Sequence, residues 1–149
     1  MIDTTLCYIK KEGSWLLLLR NKKENDLNEG KWIGVGGKCE AGESPEQCVR
    51  RETLEETGLI LGDVCFRGVV HFRSDTWEDE EMYLFTSAEP GGTLDENCAE
   101  GTLAWIPEDQ VMSLPMWEGD RLFLPQLLWG AAAIDMTVVY EGDRLADWY

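Results

Sequence analysis

The stretch GGKCEAGESPEQCVRRETLEETGL, from Gly36 to Leu59, constrains this chain more than any other. It reads as a helix with both ends written into it. Ser44 can cap the start, Pro45 suits the first helical position, and Gln47 completes a capping box. Gly58 is a natural stop. Between these ends, Glu52, Glu55 and Glu56 fall within one arc of about 100°. Like charges three and four residues apart are mildly destabilising on a helix. The pattern therefore predicts a positive partner that the sequence does not contain. A solvated acidic face is the plain alternative, and the glutamates alone do not exclude it. The preceding Gly34, Gly36 and Gly37 add weight to the first reading, because glycines let a backbone approach a ligand closely with its carbonyls available. Glycine loop, capped helix and convergent carboxylates together offer hard oxygen donors for Mg²⁺ or Mn²⁺. Such an ion keeps several waters and also holds substrate phosphates.

The charge balance points the same way. Thirteen basic residues against 29 acidic ones leave a formal charge of −16. That charge repels polyanions, and no basic stripe is present, so a nucleic acid polymer is excluded as partner. A small phosphorylated substrate needs intervening cations. At 149 residues the chain predicts one domain, 1–149, long enough to bury its own core. No apolar stretch approaches the ~18–20 residues of a membrane span, and the N-terminus shows no basic region followed by a long apolar one. The five cysteines, Cys7, Cys39, Cys48, Cys65 and Cys98, form no Cys-x-x-Cys pair. They predict reduced thiols and a cytoplasmic location, with Cys39 and Cys48 as small buried hydrophobes.

Along the chain, Thr4 to Ile9 and Ser14 to Arg20 predict paired strands, followed by a polar loop to Gly30 and a short strand from Lys31 to Val35. Cys65 to Arg73 and Glu81 to Ser87 predict a second pair across the acidic connection Asp75 to Glu80. Pro90-Gly91-Gly92 reads as a turn, Thr102 to Ile106 as a strand, and Pro107 as the opening of a short helical turn. Helical spacing recurs from Gly119 to Trp129. Starting that helix near Leu124 would place Pro125 in its first turn. Ile134 to Tyr140 and Arg144 to Trp148 predict a terminal hairpin. Strands and two or three helices thus interleave in an α/β unit. His71, the single histidine, lies in an apolar run and reads as structural, and Trp32 and Trp105 read as core. No dinucleotide fingerprint and no Walker-type phosphate loop occur.

Gly37, then five residues, Glu43, then seven, then Arg51-Glu52-Thr53-Leu54-Glu55-Glu56-Thr57-Gly58-Leu59, resembles the Nudix box. Every charged and glycine position of that signature is filled; Thr53 stands where an aliphatic residue is usual. The resemblance implies a Nudix-type α/β/α sandwich around a mixed β-sheet and metal-dependent hydrolysis of a nucleoside diphosphate linked to a further group. Outside the box, Gly30-Lys31-Trp32-Ile33-Gly34-Val35-Gly36-Gly37-Lys38, Glu100-Gly101-Thr102-Leu103-Ala104-Trp105 and Met116-Trp117-Glu118-Gly119-Asp120 are similar to MutT-type 8-oxo-dGTP diphosphatases of Gram-positive bacteria. Those enzymes release a nucleoside monophosphate and pyrophosphate and cleanse the nucleotide pool in support of DNA repair. By this resemblance the metal falls to the Gly36 carbonyl, Glu52, Glu55, Glu56 and Glu100. Glu56 or Glu100 acts as general base, and Arg51 orients the carboxylates. Arg20, Lys23 and Lys38 are candidates for phosphate contact. Trp117 could stack on a purine while Asp120 hydrogen-bonds its edge; a core or lid aromatic is the other reading of Trp117. Animal members carry a base-contacting asparagine after the tryptophan corresponding to Trp32, where this chain has Ile33. The alternatives are a Nudix enzyme acting on ADP-ribose or dinucleoside polyphosphates, and a Nudix-like module that senses a nucleotide without cleaving it. The complete carboxylate set disfavours the last.

Overall fold

A computed structural model of the chain describes residues 1–22 and 26–149. Its strands are β1 (Ile2–Lys11), β2 (Ser14–Leu19), β3 (Trp32–Ile33), β4 (Leu59–Ile60), β5 (Val64–Ser74), β6 (Glu80–Ala88), β7 (Gly91–Gly92), β8 (Thr102–Pro107), β9 (Ile134–Glu141) and β10 (Arg144–Trp148). Helix α1 spans Pro45–Thr57, α2 spans Asp120–Trp129, and a 3-10 helix covers Glu108–Ser113. One sheet runs β10-β9-β5-β6-β1-β2-β3, with β8 also paired to β2. It is mixed: β1 with β6 and β5 with β9 are parallel, and the other pairs are antiparallel. The expected α/β class and mixed sheet are both present.

The centre of this sheet explains where the glycine loop goes. Strand β1 is buried from Thr4 to Ile9, so both of its faces are covered. It pairs with β2 only around the hairpin, through Ile9–Lys11 against Ser14–Leu16. Beyond that point the segment after β3 takes over as partner. Cys7 and Val35 exchange backbone hydrogen bonds of 2.6 and 3.0 Å, and the Thr5 amide donates to the Gly37 carbonyl at 2.9 Å. A Cβ on Gly36 would stand 1.9 Å from the Thr5 carbonyl oxygen, and one on Gly37 would stand 2.6 Å from the Glu52 carboxyl carbon. These positions admit no side chain because β1 lies against one and α1 against the other.

Helix α1 forms as its sequence predicts. The Ser44 hydroxyl accepts from the Gln47 amide, Gln47 Oε1 accepts from the Ser44 amide, and Gly58 closes the helix in the left-handed conformation at φ 76°. Its inner stripe is Val49, Thr53 and Glu56, at the i, i+4, i+7 spacing of a core-facing row. A carboxylate thus occupies a core position. Cys48 also lies on the inside, with its thiol 3.4 Å from the Thr5 hydroxyl.

Two elements differ from expectation. Helix α2 begins at Asp120 rather than near Leu124, so Pro125 lies in its interior. Tight turns from Trp117, Glu118 and Gly119 to Asp120, Arg121 and Leu122 start it early, and the Gly119 amide is anchored on the Tyr140 hydroxyl at 2.6 Å. Proline supplies no amide proton, which leaves the Arg121 carbonyl without a helical donor. Burial of Phe123, Leu124, Leu127 and Leu128 offsets that loss. The Gly91-Gly92 turn is in fact strand β7, paired with β4 immediately after the α1 stop. Gly92 sits at φ +79°, with room for no Cβ beside the Gly58 carbonyl.

Trp32 and Trp105 are half-buried against the core rather than inside it, because β3 and β8 are neighbours of β2 at the margin of the sheet. His71 is structural: on β5 it bridges Glu81 of β6 and, at 3.0 Å, Asp135 of β9. Burial alone would lower its pKa, but the two carboxylates outweigh it and the value is raised. All five thiols are free; Cys7, Cys48 and Cys98 are buried, Cys39 is half-buried and Cys65 is exposed. Among the described residues no helix is long and apolar enough to cross a membrane.

Candidate active site

The three glutamates of α1 meet three different environments, although they share one arc. Glu55 is exposed, Glu52 is half-buried, and Glu56 is 8% exposed. Glu56 Oε1 accepts from the Gly36 amide at 3.2 Å, so the glycine loop is tied to the helix through this carboxylate. Its Oε2 is buried with no partner among the described residues. Burial, reinforced by the negative charges of Glu100 and Glu52, pushes the Glu56 carboxyl up to about 8; the Gly36 amide and Arg20 act weakly the other way. Burial also raises Glu52. An unpartnered, desolvated oxygen amid like charges is a group that a cation would stabilise, as the acidic helix predicts.

Arg51 does more than orient one neighbour. It forks onto Glu43 through two hydrogen bonds of 2.7 and 2.9 Å and reaches Glu52 at 2.8 Å and Glu55 at 3.2 Å. It also donates to the Lys38 carbonyl at 3.1 Å. The bidentate Arg51 contact holds the Glu43 carboxyl down at about 2. Glu43 is thus a site-organising residue, which its fixed spacing before Arg51 could have announced. Arg51 draws Glu43, Glu52 and Glu55 to itself, and among the described residues no three acidic, histidine or cysteine side chains are grouped to hold a metal ion. The donor set nonetheless fits a hard divalent cation: carboxylate oxygens, one of them buried and unpartnered, beside a loop too close for any side chain.

A cavity of about 640 Å³ opens in front of this loop. Its lining includes the glycine-loop group Gly36, Gly37, Lys38, Glu52, Arg20 and Glu100 and the group around Trp117, with Asp120, Asn28, Phe72 and Tyr140. Glu56, Glu55 and Arg51 do not line it; Glu56 sits behind Gly36. Arg20 is already engaged, with Nε on Asp26 at 2.7 Å and Nη1 on Glu100 at 2.8 Å. Lys38 belongs to the same group. Lys23 lies outside the described residues.

In the group around Trp117, register builds the floor. Thr4 lies beside Met82, Met82 beside Val70, and Phe72 between Glu80 and Val138, so residues of four strands share one face. Trp117 is 5% exposed. It meets Tyr140 and Phe72 edge to face at 4.7 and 5.8 Å, and the Lys31 ammonium sits 4.4 Å from its ring centroid. Trp117 is therefore a packed aromatic that also forms part of the cavity wall. Asp120 is 7% exposed at the same wall. Burial raises its carboxyl to about 7, with Arg121 and Lys31 opposing. Ile33 lines the cavity too and brings no polar group. Phe72, Met82, Tyr140 and Asn28 are pocket residues that no local motif marks.

Sheet, glycine loop and carboxylate helix together define a hydrolase type of site. Residues 3–127 match the NUDIX domain family, and the chain belongs to that family of hydrolases. It is 29% identical over 140 residues to the Nudix hydrolase YvcI of Bacillus subtilis, covering 91% of this chain and 85% of that one. It is 32% identical over 126 residues to the oxidized purine nucleoside triphosphate hydrolase of Danio rerio, covering 83% and 78%. The crystal structure of the MutT protein from Bacillus halodurans superimposes with a TM-score of 0.90 over 100% of this chain and 97% of that one, at 28% identity.

Proposed function

We propose that this hydrolase cleaves oxidised purine nucleoside triphosphates, 8-oxo-dGTP foremost, to the monophosphate and pyrophosphate, and so cleanses the nucleotide pool. One observation carries the reading. A single cavity is lined both by charged groups beside the glycine loop and by the aromatic wall of Trp117, Phe72 and Tyr140, as a triphosphate joined to a base requires. The Danio rerio relative's named substrate class supports it. The hairpin β9–β10 belongs to the same unit on this reading, since Tyr140 lines the cavity.

Glu52, Glu55, Glu56, Glu100 and the Gly36 carbonyl would hold Mg²⁺ or Mn²⁺. When bound, the cation offsets phosphate charge and acidifies water. The chain's own groups do the rest. Arg51 keeps Glu52 and Glu55 aligned through its fork. Arg20 and Lys38, which line the cavity, would contact the phosphates. Glu56 or Glu100 accepts the proton from the attacking water as general base. Trp117 packs beside the base, and Asp120 offers its edge an acceptor when ionised and a donor when protonated.

The test is a turnover screen with Mg²⁺ against 8-oxo-dGTP, dGTP, ADP-ribose and diadenosine polyphosphates, with product analysis. The expected outcome is the highest kcat/KM for 8-oxo-dGTP, with pyrophosphate released. Turnover confined to ADP-ribose or dinucleoside polyphosphates would refute it.

A further inference from the structure

The cavity lining contains an amide whose orientation is chemically determined. Asn28 lies in the loop before β3 and lines the cavity. Trp117 Nε1 donates to Asn28 Oδ1 at 2.7 Å. An indole nitrogen can only donate, so the oxygen of Asn28 must be the atom facing it, and the amide cannot be flipped. The Nδ2 group, with two protons, is left on the other prong, and no described residue accepts from it.

The loop holds this arrangement firmly. Asp26 Oδ1 accepts from the Asn28 amide at 3.3 Å, and Asp26 Oδ2 accepts from Arg20 Nε at 2.7 Å. The Asn28 carbonyl accepts from the Lys31 amide at 2.9 Å, which closes the turn. Arg20 in turn pairs with Glu100, and both line the cavity. A chain of contacts thus runs from Glu100 through Arg20 and Asp26 to Asn28 and Trp117.

An unconstrained asparagine offers a donor and an acceptor side by side, the pattern that matches adenine, which displays a 6-amino donor beside the N7 acceptor. Guanine displays the O6 and N7 acceptors on that edge; 8-oxoguanine keeps the O6 acceptor, while its N7 is protonated and donates. Trp117 fixes the oxygen of Asn28 on its own side, so the prong left over is the NH₂ donor. We propose that Asn28 is a specificity-determining residue that donates from Nδ2 to the 6-oxo group of a bound purine and disfavours a 6-amino group, so the pocket selects guanine-type over adenine-type bases. Ile33 brings no polar group to the pocket, and Asn28 supplies one from a different element. This inference rests on the purine nucleotide reading above and names the residue that narrows it.

The test uses nucleoside monophosphates, because they read the base pocket without turnover. Binding of 8-oxo-dGMP, dGMP and dAMP to the full chain is measured by calorimetry for wild type, Asn28→Asp and Trp117→Phe. Asn28→Asp keeps an oxygen for Trp117 Nε1 but replaces the donor with an acceptor. Since all three ligands carry the same phosphate, the added charge cancels in their ratio. Wild type is expected to prefer dGMP over dAMP, and Asn28→Asp to lower that ratio about tenfold, the scale of one mismatched hydrogen bond. Trp117→Phe keeps a ring but frees the amide to turn, and is expected to relax the ratio towards unity. If triphosphates are not turned over while the monophosphate preference stands, the hydrolytic reading fails and the base reading survives. An Asn28→Asp ratio equal to that of wild type, or a wild type that does not distinguish dGMP from dAMP, overturns the proposal.

Discussion

Glu56 carries opposed demands at the scale of a single residue. Its position on the inner stripe of α1 suits an apolar side chain, yet it carries a carboxyl raised to about 8 with one oxygen unpartnered. Glu56→Gln keeps the shape and removes the ability to ionise. Its kcat is expected to fall roughly 10²–10⁴-fold, the scale of a lost general base, while the urea midpoint stays level or rises. A kcat within about threefold of wild type would remove Glu56 from the chemistry. Asp120 lends itself to a pH measurement. Its folded pKa, about 7, lies above the ordinary 3.8. The folded state therefore holds the proton more tightly than the unfolded one. The resulting stabilisation is complete below pH 3.8 and is lost as pH rises through about 7. Asp120→Asn is neutral throughout, so its stability advantage over wild type should widen between pH 4 and pH 8 in urea melts. An advantage independent of pH would mean that Asp120 does not titrate as described. Kinetics on the same variant ask whether the 8-oxo-dGTP to dGTP preference falls; an unchanged ratio would leave base reading to other residues.

Among the elements, α2 is the one whose sequence argues against it and whose surroundings rescue it. It has Pro125 in its interior and no side-chain cap at its start. The buried Arg67 of β5 compensates at the other end, donating to the carbonyls of Leu127, Gln126 and Gly130 at 3.2, 2.8 and 3.1 Å. A cation at a helix C-terminus also suits the macrodipole. Arg67→Met retains the apolar stem and strands these carbonyls. The expected cost is about 3 kcal/mol, read from urea melts, with amide exchange accelerated first across 120–129. A loss below about 1 kcal/mol, the scale of a surface substitution, would show that apolar packing alone secures the helix. Because Trp117 and Asp120 stand at the start of α2, this variant should also raise KM.

For the whole molecule, the charge of −16 and the carboxylates behind the glycine loop make one prediction. Turnover should require added divalent cation, and Mg²⁺ should raise the Tm by mass action on the folded state. Glu56→Gln should lose most of that rise. Chelator-treated protein that turns over at full rate would refute the metal-dependent reading.

The sequence by itself determined the parts whose physics is local. The capping box, the Gly58 stop and the Gly37-to-Leu59 spacing act between neighbours on one chain segment, so α1, its acidic face and the family are legible without coordinates. Strands β1, β2, β5 and β6 followed from apolar patterning. Tertiary structure alone decided which glutamate is buried, because that depends on β1 and the glycine loop lying against one edge of the arc. It also decided the cavity wall around Trp117. Thr4, Phe72, Met82 and Tyr140 become neighbours only through strand register. Asn28 and Trp117 meet across 89 residues of chain. The early start of α2 and the pairing of Gly91-Gly92 belong here as well, since Tyr140 anchors the first and β4 the second. Caps and boxes are read from what precedes and follows a residue. A pocket is set by what lies across from it, and a one-dimensional pattern does not record that.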